Sequence, residues 1–122
     1  MKKIQDIYKS LGEHGSLLLC YLHEASIDVN IAKYFDTLLE LDIVDNDCYV
    51  LDGDRLLKFF GSDKRIARGT NKNGNTIVLY KYDSAEHFVV VNERKEIVFN
   101  SLENSTCVRL GEPVWDKARY LA

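Results

Sequence analysis

The first half of the chain repeats its apolar residues at helical spacing. Ile4, Ile7, Tyr8 and Leu11 fall at i, i+3, i+4 and i+7, so they share one face, and Gly12 offers a stop. A second helix is expected from Ser16 toward Ala25. Its run Leu17-Leu18-Leu19-Cys20-Tyr21-Leu22 is apolar nearly all round, the mark of a buried central helix. Ser26 or Asp28 can cap a third helix carrying Ile31, Tyr34, Phe35, Leu38 and Leu39. The polar stretch from Asp42 to Asp47 interrupts this pattern and leads into the short run Cys48-Tyr49-Val50-Leu51. Asp52 or Asp54 then caps a helix with Leu56, Leu57, Phe59 and Phe60, ended by Gly61.

After Gly61 the period changes. Residues 62–75 are polar and contain glycine, with Asn71-Lys72-Asn73-Gly74-Asn75 as a strong turn signal. Thr76-Ile77-Val78-Leu79-Tyr80-Lys81-Tyr82 is rich in β-branched and aromatic residues and reads as a strand. His87-Phe88-Val89-Val90-Val91 follows as a second strand and Glu96-Ile97-Val98-Phe99 as a third. Thr106-Cys107-Val108-Arg109-Leu110 reads as a fourth, ended by Gly111-Glu112-Pro113, with Trp115 packing the last segment down. Cys48 and Cys107 then occupy half-buried strand positions. Helices followed by an antiparallel meander give an α+β fold with the layers segregated.

Composition sets the class. The chain has 122 residues, 46% of them hydrophobic, which is one domain's worth of chain with enough apolar surface for a core. A single domain over 1–122 is therefore expected. Lys and Arg number 16 against 19 Asp and Glu, a net charge of -3, which argues against nucleic acid as a partner. The longest apolar run, Leu17 to Leu22, is far short of the ~18–20 residues that span a membrane. Met1-Lys2-Lys3-Ile4-Gln5-Asp6 carries two lysines and no apolar stretch behind them, unlike a secretory signal. Cys20, Cys48 and Cys107 are odd in number and widely spaced, as expected of reduced thiols in a cytoplasmic protein.

Several motifs start and fail. Asp45-Asn46-Asp47 begins like a calcium loop, but Tyr49 and Val50 stand at the next ligand and glycine positions. The cysteines and histidines lack metal-ligand spacing, and no glycine-rich phosphate loop follows a strand, so no metal and no cofactor is expected. One constellation carries chemistry. Ser16 opens the buried helix just after Gly15, His87 opens a strand, and Asn100 closes the next. Acyl transfer needs a nucleophile, a base within hydrogen-bond reach, and a third group that orients the base.

Three segments carry a resemblance. Gly15-Ser16-Leu17-Leu18-Leu19-Cys20-Tyr21-Leu22, His87-Phe88-Val89-Val90-Val91-Asn92 and Val98-Phe99-Asn100-Ser101-Leu102 are similar to the pattern of papain-like cysteine peptidases. The small bacterial and phage proteins related to double-glycine leader peptidases look most alike. The resemblance implies a papain-like fold, with a groove between the helical half and the sheet that holds Ser16, His87 and Asn100. Two departures matter. Ser16 stands where the family has its cysteine, and Ser10 stands where a glutamine often supplies an oxyanion donor. A hydroxyl forms no papain-type ion pair with histidine, so both departures point to a scaffold that has lost peptidase chemistry.

Each residue has a plain reading beside the sharp one. Ser16 reads as a helix N-cap or as a nucleophile; Cys20, one turn on, as a core residue or as a displaced thiol nucleophile. Asn100 reads as a turn former or as the group orienting His87. His14 and His23 face solvent, with His14 near enough to Gly15 to line the same cleft. The expected function is a non-catalytic or vestigial peptidase homologue that binds a peptide or protein segment. The rival is an amide or thioester hydrolase using Ser16 or Cys20 with His87 and Asn100. A third class is a small interaction protein of a phage or mobile element whose useful surface lies elsewhere.

Overall fold

The computed structural model describes residues 3–122; Met1 and Lys2, part of the N-terminal segment read above as lacking a signal pattern, lie outside them. Helix α1 spans Ile4–His14 and runs through Gly12, so Gly12 is no stop; the turn comes at Gly15. Gly15 is required there by crowding. A Cβ at this position would lie 2.7 Å from the Leu11 carbonyl oxygen and 2.8 Å from its Cα. Helix α2 follows at once over Ser16–Glu24, with Leu18, Cys20, Tyr21 and Leu22 buried. The expected third helix splits into a 3-10 turn, Ile31–Lys33, and a short helix α3, Phe35–Glu40. Its cap is Asn30, whose side chain accepts from the Ala32 N–H, and not Ser26 or Asp28. Asp52 caps helix α4, Gly53–Phe59, by accepting from the Arg55 N–H.

The second half forms one sheet of five antiparallel strands in the order β1-β5-β2-β3-β4. These are β1 (Ile66–Arg68), β2 (Thr76–Tyr82), β3 (Ala85–Val91), β4 (Ile97–Phe99) and β5 (Glu112–Leu121). Strands β2, β3 and β4 make the expected meander. Two expectations fail here. Residues 106–110 are not a strand but helix α5 (Thr106–Leu110), which returns the chain from β4 across the sheet. The chain does not end its regular structure at Pro113 either; β5 begins there and inserts between β1 and β2. Cys107 is consequently buried in a helix, and Cys48 sits buried in a turn at φ 69, so neither is a strand position.

Strand alternation divides the core into two sides. Ile77, Val90 and Phe88 face α2 and join the main cluster with Leu18, Tyr21, Phe35, Leu38, Leu56 and Leu57. Val78, Val89 and Val91 face the other way, where Tyr80, Val108 and Trp115 cover them. Helices fill the N-terminal half and an antiparallel sheet the C-terminal half, an α+β fold. No helix among the described residues is long and apolar enough to cross a membrane.

The α1–α2 corner tolerates no side chain. Gly15→Ala should destabilise the protein by about 1–3 kcal/mol, the usual range for overpacking against backbone, read as a lower urea midpoint at unchanged slope.

Candidate functional site

Strand β4 stops pairing with β3 at Val90. The Phe88 N–H therefore faces the β4 side beyond the last ladder bond. Ser16 fills that position: its Oγ accepts from the Phe88 N–H at 3.0 Å, across 72 residues of chain. The plain reading of Ser16 as a helix N-cap therefore fails. Its side chain caps nothing; Gly15 is the N-cap residue of α2 and no side chain caps that helix. The hydroxyl instead ties the first turn of α2 to the start of β3.

His87, the residue before Phe88, is buried. Its Nε2 lies 2.6 Å from the Oδ1 of Asn100, the residue just past β4. That same oxygen accepts from the Leu102 N–H at 3.1 Å. Only the carbonyl end of the amide accepts from a backbone N–H, so the amide orientation is fixed and His87 Nε2 must be the donor. The neutral imidazole then carries its lone pair on Nδ1. Asn100 thus holds the ring as an orienting group would, and starts a turn through Leu102 as well.

Ser16, His87 and Asn100 consequently meet at one end of the sheet, linked by two hydrogen bonds through neighbouring residues. No hydrogen bond joins the Ser16 hydroxyl to the imidazole among the described residues. Strand alternation explains this: His87 takes the side of Val89, whereas Phe88 points toward α2. A cavity of about 540 Å³ opens beside Ser16, walled by His14, Tyr49, Glu86 and Phe88; His87 and Asn100 do not line it. His14 is half-buried in that wall, where its Nδ1 lies 2.9 Å from the Tyr49 hydroxyl. His23 is exposed, stacked on Phe99 with ring centroids 4.3 Å apart.

Cys20 is one turn deeper on α2 and fully buried. Burial, and secondarily the charge of Glu24, pushes its thiol far above the ordinary range. A thiol that does not ionise is neither a nucleophile nor a metal ligand. Ser10, at the position compared with an oxyanion donor, is buried on α1. The calcium-like segment is an ordinary turn, in which Asp45 Oδ1 accepts from the Asp47 and Tyr49 N–H groups. No group of metal-ligating side chains occurs among the described residues.

Tyr49 and Glu86, which shape the cavity, were not singled out from sequence. Glu86 could have been found, because a charged residue at the start of a strand that docks on the buried helix stands at its rim. Tyr49 has no such signal, since it comes from a turn far away along the chain. No protein-family model, curated protein or solved structure matches this chain.

Two outcomes check this geometry. Ser16→Ala strands the half-buried Phe88 N–H and should cost about 1–3 kcal/mol in urea unfolding, whereas Ser16→Thr, which keeps the hydroxyl, should recover part of it. Cys20, Cys48 and Cys107 are all buried and none is in a disulfide, so an aromatic disulfide reagent should titrate no thiol in the native protein and all three in urea. Because burial raises the Cys20 pKa, mildly alkaline pH should leave Cys20 unreactive in the native protein.

Proposed function

We propose that this protein is a papain-like domain in which a hydroxyl has replaced the peptidase thiol, and that it binds a peptide or protein segment without cleaving it. The binding groove in this reading is the cavity beside Ser16. One observation carries it: the Ser16 Oγ accepts a hydrogen bond from the Phe88 N–H while the His87 imidazole is held by Asn100. The grouping of serine, histidine and asparagine fits the scaffold that the three sequence segments resemble. The partnering does not fit catalysis. A serine nucleophile must hand its proton to the base, and here hydroxyl and imidazole are bonded to different partners. Cys20 offers no substitute, since it stays protonated. The cavity, at about 540 Å³, has the size of a ligand cleft. Free cysteines fit a reducing cytoplasmic setting.

The hydrolase reading rests on the lone pair that the Asn100 bond leaves on His87 Nδ1. Restoring the thiol separates the two. Wild type should resist a fluorophosphonate probe, and labelling at Ser16 would overturn the non-catalytic reading. Ser16→Cys should react with iodoacetamide about tenfold faster than the same variant carrying His87→Ala, as expected when an imidazole lowers a thiol pKa. Equal rates with and without His87 would remove the papain-like kinship.

A further inference from the structure

Strand β5 is bulged where it pairs with β2. While β2 advances from Leu79 to Ile77, β5 advances from Val114 to Arg119. Bulges re-aim side chains. Here the extra residues bring the Lys117 carbonyl under Arg119, whose Nε and Nη2 donate to it at 3.3 and 3.2 Å. Its Nη1 donates to the Tyr21 hydroxyl at 3.2 Å, and the guanidinium lies 5.2 Å from the centre of the Phe88 ring. Three of the five N–H groups of this side chain are thereby used, the plane is fixed, and two donors are left over.

Arg68 stands directly opposite Arg119 in the β1–β5 register. Cross-strand partners share a face, and like charges so placed repel. Neither arginine has an ion-pair partner among the described residues. Both line a cavity of about 310 Å³ together with Tyr21. Asp52 and Asp54 also line it, with Oδ1 atoms that accept from the Arg55 and Ile66 N–H groups, and neither forms an ion pair with either arginine. Leu17 and Val50 line both this cavity and the one beside Ser16, so the two adjoin.

We propose that Arg68, Arg119 and the Tyr21 hydroxyl form a carboxylate site that receives an acidic side chain of the segment bound beside Ser16. This rests on the binding reading of that groove and names its ligand: a peptide with an acidic residue. A bridging carboxylate relieves the repulsion between the guanidiniums and takes the donors that Arg119 leaves unused. Tyr21, kept protonated by its burial, has a proton to give to the same group. Glu13 and Glu86, which line the cavity beside Ser16 and not the arginine cavity, set the polarity. The acidic residue lies at the arginine end, and neutral or basic residues lie toward Glu86.

The test is an NMR titration of the full chain with three probes: a blocked alanine pentapeptide with one central glutamate, its glutamine counterpart, and inorganic phosphate. The glutamate peptide should shift the Arg119 side-chain Nε–H and the backbone amides of 66–68, and the glutamine peptide should not. Arg68→Gln, an exposed change outside the packed core, should weaken the glutamate peptide roughly tenfold, the low end for a charged hydrogen bond. Equal binding of the two peptides, or no effect of Arg68→Gln, would overturn the proposal. Phosphate binding without peptide binding would also overturn it, in favour of a free-anion site. The groove reading is judged separately by the Ser16→Cys reactivity, which does not involve the arginines.

Discussion

A single hydrogen bond organises the junction of helix and sheet in this molecule. The Phe88 N–H lies just beyond the point where β4 stops pairing, and the Ser16 hydroxyl completes its bonding. An unpaired backbone donor at a half-buried strand is costly, so something polar must stand there. Serine at the start of α2 supplies it, and in doing so fixes how the buried helix meets the sheet. The position of the cavity and the approach of Phe88 to Arg119 all follow from that docking.

The same bond explains why a hydroxyl is well suited to this position. An oxygen accepts a backbone N–H strongly at 3.0 Å, whereas a thiol is a weak acceptor. His87 shows the complementary case. Its ring is oriented with the care usually given to a base, because one amide oxygen serves both Nε2 and the turn at Leu102.

Much of the fold was legible where neighbours along the chain decide it. The apolar spacing in α1, α2 and α4 and the β-branched runs of β2 and β3 each declare their own period. The failures have physical causes. Residues 106–110 look like a strand by composition, yet they form a single short helix because the chain must turn back over the sheet there. Strand β5 opens on Glu112-Pro113 and alternates poorly, since its bulge breaks the two-residue period. β1 is only three residues long and exists because β5 pairs with it. The contact of Asn100 with His87 was readable as a pair. Other pairings were not: that Ser16 would bond to a backbone amide, and that Arg68 would face Arg119, depends on long-range register that no local pattern encodes.

The late insertion of β5 has a consequence for biogenesis. Its two neighbours, β1 and β2, are made first, and neither pairs with the other. As the polypeptide leaves a ribosome, the helical segments and the β2–β3 hairpin can assemble early from nearby contacts. The slot between β1 and β2 stays open until β5 emerges to close it. Nascent chains stalled before that moment expose two unsatisfied strand edges, which makes this interval the one in which a chaperone has most to shield.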